Sequence, residues 1–454
     1  MSQGKWIRWM GGSALALLLF AFVVAGGQRG AVDWSDLRAV AFESDDWGLA
    51  GFVPDAGAWE GLERQALGTG RFPEVYWQST LEDSAMVADL CGLLRAHVGR
   101  DGRGAVLQPN YVVSSLGYRG RPPQGRWISF DWPQVPPEYR RPGLDEAVKS
   151  AIATGCWYPE FHGRYHYDPA RRLADAFADS LAAAATLRGI MLFPGSERAR
   201  ELGSWRSTGE LEDELDQALG VFRRVFGRSP GSVIAPDYTW NGRIEDIWQS
   251  RGLNVIQGKR EQINPDWLPG RPGRAQKFLA RQLSRLTHPG RTYLERNCRF
   301  EPVQFDDPRE PVASCLAEIR HAWRSGRPAI VETHRINFVH TDPAVVRAGR
   351  EAFALLLTQV GELPGDGPLY LTDHEIAQLD RGGASWSVRG GRIVLRNHSR
   401  SRKVVAVPVA AFNLAAALAG SDARATAPLL LALAPGGSID LVPGQEVGIQ
   451  KIKR

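Results

Sequence analysis

Cysteine is scarce in this sequence, with four copies in 454 residues, and none stands in a C-x-x-C pair. A zinc site built from closely paired thiolates is therefore disfavoured. Cys298 and Cys315 are candidates for a bridge in an oxidising compartment. Spacing does not fix connectivity among these two, Cys91 and Cys156, and free buried thiols are the alternative. No block of like charge occurs either: 55 basic residues stand against 50 acidic ones, a net +5, and the basic ones look scattered. That excludes the basic stripe of a nucleic-acid binder. Internal repeats and low-complexity tracts are also missing. Apolar residues make up 43% and charged ones 23%, so a buried core forms and global disorder is excluded. The length exceeds one ordinary domain and suits a large barrel plus an accessory module. Tryptophan is abundant, at 15 copies, which suits sugar-stacking platforms and ordinary cores alike.

The amino terminus has the one notable apolar run, Ser13 to Ala25, preceded by Lys5 and Arg8 and followed by Gly26 and Gly27. A basic head before an apolar run marks a secretory signal or a signal anchor over residues 1–30. The run is short for a span unless Trp9, Met10 and the glycines are included. Basic residues ahead of it place the remainder outside the cytoplasm. The expectation is a protein anchored in the inner membrane and facing the periplasm, or secreted if Ala25-Gly26-Gly27 is cleaved.

Beyond Val40, short apolar runs alternate with helical periodicity. Strands are predicted at Ala39–Phe42, Ala105–Val113, Trp157–Phe161, Ser232–Ala235, Leu253–Gln257 and Pro328–Glu332. Helices are predicted at Ser84–His97, Pro169–Leu187, Thr208–Phe226, Arg243–Arg251, Val312–Arg324 and Pro343–Val360. This alternation predicts an α/β fold with a parallel sheet, open or closed into a barrel, over residues 36–380. After a linker near Asp380–Gly383 the pattern changes to short apolar bursts at Arg392–Leu395, Val404–Val409 and Leu429–Leu433. Residues 384–454 read as a small all-β, sandwich-like module that braces the rest.

The residues with chemistry to offer follow predicted strands, where parallel α/β folds build their sites. Asp45-Asp46 follows the first strand, within Glu43-Ser44-Asp45-Asp46-Trp47-Gly48. Adjacent carboxylates repel unless a cation or shared proton relieves them. One of the pair can bind metal while the other acts as base; a solvated acidic turn is the alternative. His162 and His166, four residues apart, can chelate one cation, or be a chance surface pair. Gly163 stands where a metalloprotease helix carries its glutamate, so that class is disfavoured. His334 ends the strand Ala329-Ile330-Val331-Glu332-Thr333, as a general acid or an ordinary strand-end polar residue. The loop Ala235-Pro236-Asp237-Tyr238-Thr239-Trp240-Asn241 offers backbone N–H groups to an oxyanion, or is an ordinary turn.

The order of these motifs resembles the polysaccharide deacetylase family, carbohydrate esterase family four, across roughly Ala39 to Asn337. The resemblance implies a distorted (β/α) barrel and hydrolysis of N- or O-acetyl groups from a cell-surface or extracellular polysaccharide. It further implies a divalent metal, zinc the leading candidate, on Asp46, His162 and His166. Asp45 would be the general base, His334 the general acid, and the backbone N–H of Tyr238 an oxyanion donor. Three departures stand out. Ala235 replaces the family's arginine that orients the base, and Gly163 replaces its Ser or Thr. No acidic fourth motif stands near Gln257–Glu261, where Lys259 and Arg260 are the substitute charge partners. An inactive deacetylase-fold protein serving polysaccharide assembly is the main alternative. A glycoside hydrolase pairing Asp45 or Asp46 with Glu160 or Glu332 ranks last.

Overall fold

A computed structural model describes residues 31–445 except 70–76, 122–123, 193–199, 204–205, 260–286, 289 and 308. The predicted anchor over residues 1–30 lies outside this range. No helix among the described residues is long and apolar enough to cross a membrane.

In chain order the strands are β1 (Ala39–Trp47), β2 (Leu107–Tyr111), β3 (Ser114–Arg119), β4 (Arg126–Asp131), β5 (Glu160–Phe161), β6 (Val255–Gly258), β7 (Thr292–Glu295) and β8 (Cys298–Arg299). There follow β9 (Ala329–His334), β10 (Leu369–Tyr370), β11 (Ala384–Arg389), β12 (Arg392–Asn397), β13 (Lys403–Val407), β14 (Leu429–Leu433) and β15 (Ser438–Leu441). The architecture is mixed α/β. β1 is buried along its whole length, as a central parallel strand must be. It pairs in parallel with β9, from Val40 opposite Ala329 to Asp45 opposite His334, and with β2 on its other side. β2 pairs with β5, single bridges join Phe161 to Val233 and Val233 to Ile256, and β6 pairs with β7. Only Arg296 and Asn297 separate β7 from β8, which pairs with β9.

Side chains of β1 alternate as strand geometry requires. Val40 and Phe42 join the large core under the helices, which includes Leu94, Phe222, Ile319 and Phe353. Ala39 and Ala41 face the other way, against Val255, Leu294, Ile330 and Leu369. Glu43 and Asp45 continue that inner face toward the carboxyl ends of the strands.

The helix predicted over Thr208–Phe226 forms as expected. Ser207 and Glu210 make a capping box at its start, and Gly227 in the left-handed region ends it. The single helix predicted over Pro169–Leu187 is instead two, Pro169–Asp175 and Ser180–Leu187, because Asp179 accepts from Ala182 N–H and caps a new start.

Beyond the helix Asp373–Gly382, β11-β12-β15 form one sheet and β13-β14 a two-stranded antiparallel sheet. The all-β expectation for this segment needs correction: Val409–Leu418 is a helix. Pro408 stands at its start, its alanine-rich sequence favours helix, and Ala411 and Ala415 pack on Val388, Ile393 and Leu395. The disulfide joins Cys91 to Cys156, not Cys298 to Cys315, which are free and buried. Cys91 and Cys156 sit on a helix and just before β5, elements that sequence spacing does not bring together.

Candidate metal and acid–base site

The first motif is shaped by a local irregularity. Pairing of β1 with β2 shifts register between Ser44 and Trp47, and Asp46 adopts a left-handed φ of 73°. Strict alternation would send Asp46 to the face opposite Asp45. The irregularity instead lets both consecutive carboxylates serve one cleft, at a strain of about 1–3 kcal/mol. Gly48 completes the turn, since a Cβ there would lie 2.7 Å from the Val112 carbonyl oxygen.

His162 and His166 meet Asp46. Its Oδ1 lies 3.1 Å from His166 Nε2 and 3.5 Å from His162 Nε2. Three ligands about 2.1 Å from a common cation would stand about 3.0–3.4 Å apart, so the donor set fits a small divalent ion. His162 Nδ1 lies 3.2 Å from the Ile234 carbonyl oxygen. As the donor in that bond it leaves the Nε2 lone pair facing Asp46, the usual way a second contact fixes a ligand tautomer. Burial alone would raise the Asp46 carboxyl, but bonds to His162 and His166 hold it well below the usual range. Two nitrogens and one oxygen leave room for water and substrate, as a catalytic rather than structural site requires.

The loop between the two imidazoles has its own brace. Glu201 accepts from the N–H groups of Arg164 (2.8 and 3.1 Å) and His166 (3.0 Å). A Cβ on Gly163, which has φ 88°, would lie 2.2 Å from Glu201 Oε2. Gly163, a departure at the level of motif, is thus the residue that admits this carboxylate. Burial, and then the neighbouring Glu214, push the Glu201 carboxyl up.

Asp45 is held on both oxygens. Arg296 donates Nη1–H to Oδ2 at 2.6 Å and Nη2–H to Oδ1 at 2.7 Å, while Asn110 donates to Oδ1 at 2.8 Å. Burial opposes ionisation, yet Arg296, His162 and His334 outweigh it and keep Asp45 below the ordinary carboxylate range. Arg296 also donates to Glu43 at 2.5 Å and to the Tyr238 hydroxyl at 2.7 Å. Glu43 itself is pushed well up, by burial first and Asp373 next.

His334 Nε2 is 3.9 Å from Asp45 Oδ2, and its Nδ1 is 2.5 Å from Glu301 Oε1. Burial would lower the imidazole, but Glu301 and then Asp46 and Asp45 raise it to about 10. The side chain is 18% exposed against 3% for Asp45.

Tyr238 sits differently from its expected role. Its N–H donates to the Ala235 carbonyl at 3.1 Å, within a turn where Asp237 and Tyr238 both have positive φ. Its ring and hydroxyl, rather than its N–H, line the cleft. Lys259, expected as a substitute charge partner, pairs with Glu332 and lies 4.4 Å over the Tyr238 ring; Arg260 and Glu261 fall outside the described residues. The carboxylates that a glycoside hydrolase would need are engaged. Glu160 accepts from the Gly231 and Ser232 N–H groups at 2.7 Å each, and Glu332 pairs with Lys259.

Sequence reading missed Arg296, Glu301 and Glu201. Arg296 takes the position on the base left vacant at Ala235, and Glu301 the acidic partner missing near Gln257. Each stands alone in sequence, without a motif around it.

No protein-family model matches the chain, and no curated protein does. Among solved structures it overlaps a protein described as a polysaccharide deacetylase from Mycobacterium smegmatis, at 13% identity and TM-score 0.34, over 75% of this chain and 89% of that one. A second, from Pseudomonas aeruginosa PAO1 and described in the same way, gives 10% identity and TM-score 0.36, over 76% and 91%. A structure of AmyP in complex with maltotriose gives 14% and 0.29, over 91% and 98%. Overlaps this loose carry no argument about this chain, whose site geometry stands on its own.

Proposed function

We propose that this chain is a metal-dependent hydrolase that removes acetyl groups, N- or O-linked, from a cell-surface or extracellular polysaccharide. The observation that carries the reading is the convergence of Asp46, His162 and His166, whose ligand atoms lie within 4.8 Å of one another, beside the Asp45–Arg296 pair and His334. On this reading residues 36–380 form a distorted (β/α) barrel, and residues 384–454 are an accessory module. The Cys91–Cys156 disulfide favours an oxidising compartment, in keeping with an anchored or secreted protein outside the cytoplasm.

Asp46, His162 and His166 would hold the cation, zinc being the leading candidate for this donor set. When bound, such a cation polarises the acetyl carbonyl and makes water acidic enough to attack near neutral pH. Asp45 is ionised and oriented by Arg296, and its Oδ2 takes up the proton of the attacking water. His334 enters as the imidazolium, stabilised by Glu301, and gives its Nε2 proton to the leaving amine or alcohol. Tyr238 lines the cleft between Lys259 and Arg296. The inactive-scaffold alternative drew on the missing base-orienting arginine, and Arg296 weakens that ground.

Asp46→Ala or His162→Ala should abolish metal retention and acetate release together. Asp45→Asn should keep the metal, read by elemental analysis, while acetate release from acetylated oligosaccharides drops by about 100-fold or more. Full activity in the first two variants removes the metal assignment, and full activity in the third removes the base.

A further inference from the structure

Basic residues run along the whole chain, but their excess over acidic ones falls in the carboxyl-terminal segment. Residues 384–445 contain seven arginine and lysine side chains against two acidic ones, an excess as large as the +5 of the whole chain. Arg400 and Arg402 are exposed, immediately before half-buried Lys403 at the start of β13.

The antiparallel strand pair β13–β14 is apolar on both faces. Val405, Val407 and Leu433 point inward to the module core. Outward stand Val404, Ala406, Leu430 and Ala432, all exposed. Val404 is opposite Ala432 and Ala406 opposite Leu430, so the four form one continuous patch. Val404 and Leu430 are 68% and 66% exposed, the most exposed large apolar side chains among the described residues. A solvated antiparallel face normally carries polar residues at these positions. A contiguous apolar face with a charged rim marks a contact surface.

The path of the chain indicates what covers it. Ala31 N–H donates to the Asp380 carbonyl at 3.1 Å, and a Cβ on Gly383 would touch both the Ala31 oxygen and Ser399. Residue 31 thus lies beside the turn that leads through Arg400 and Arg402 into β13. The sequence just before residue 31 contains the basic and apolar segment from Lys5 to Ala25. The basic turn that opens onto the apolar patch is thus the place where residue 31 meets the fold.

We infer that the outer face of β13–β14 rests on an anionic lipid surface, with Val404 and Leu430 at the acyl boundary and Arg400 and Arg402 against lipid phosphates. The inference is independent of the catalytic reading. It gives the carboxyl-terminal module an orienting role: the module fixes how the rest of the chain stands relative to the membrane.

The test uses the full chain in phosphatidylglycerol-containing nanodiscs, with a spin label at Leu430→Cys or, as control, at Leu187→Cys, which is 54% exposed on another part of the fold. The native cysteines are bonded or buried and do not compete for label. The expected result is a label at 430 several-fold less accessible to an aqueous nickel chelate, and more accessible to oxygen, than the label at 187. The double variant Arg400→Glu, Arg402→Glu should restore chelate access at 430. Equal accessibility at the two sites overturns the inference. So does protection unchanged in pure phosphatidylcholine discs and in the double variant. Dipolar broadening between two labelled chains overturns it in favour of a second copy covering the β13–β14 pair.

Discussion

Arg296 is fully buried and is the cation shared by Asp45, Glu43 and the Tyr238 hydroxyl. Its removal would leave the buried Asp45 carboxylate without its cation and Glu43 without its donor, which costs about 3–5 kcal/mol. Arg296→Met should therefore lower the unfolding free energy by that amount in denaturant titrations while sparing the cation ligands, read as retained metal. Lysine should rescue only part, because one ammonium cannot reproduce two parallel bonds. The His334–Glu301 pair makes a pH prediction. The folded-state value of about 10 lies above the ordinary 6.5. Stabilisation from this pair is then fully present below pH 6.5 and lost as pH rises through about 10. Activity that uses the imidazolium should fail on that same alkaline side. Glu301→Gln should shift the alkaline limb of the kcat profile toward neutrality and shrink the melting-temperature advantage of the native protein as pH rises. An unmoved limb would show that Glu301 does not tune His334.

At the scale of elements, the segment from His162 to His166 depends on a pairing between a glycine and a carboxylate distant in sequence. Gly163→Ala places a Cβ against Glu201 Oε2 in a backbone region that disfavours it. The loop must shift, and metal affinity should fall by about 10–100-fold in competition titrations with a chromophoric chelator, the usual effect of disturbing a ligand's support. The element scale also shows what a sequence makes legible. Asp45-Asp46 and His162–His166 are short-range patterns at strand ends, so local pattern located them, and a capped amphipathic stretch located Thr208–Phe226. Arg296 and Glu301 come from β7, β8 and the residues after them, strands too short to leave a period. Their roles arise only from pairing across some 250 and 33 residues. The β3–β4 hairpin and the helix at Val409–Leu418 escaped for similar reasons. The hairpin is half exposed without clean alternation, and the helix follows a strand of the same apolar composition.

Over the whole molecule, parallel pairing brings the ends of β1, β5 and β9 to one cleft, with the apolar inner layer of Ala39, Ala41 and Ile330 beneath it. The Cys91–Cys156 bridge closes 65 residues of chain around β2, β3, β4 and the helix Leu144–Thr154. Replacing both cysteines with serine should lower stability by about 2–4 kcal/mol, read as a reduced denaturation midpoint with site chemistry intact. The carboxyl-terminal module is bound to the rest by ion pairs such as Arg396 with Asp101 at 2.7 Å. The measurement that bears most directly on the account combines metal content and acetate release on the same purified chain, before and after a strong chelator. The account predicts stoichiometric divalent metal, acetate release lost with the metal and regained when zinc is returned. Acetate release that continues undiminished in metal-free protein would contradict it.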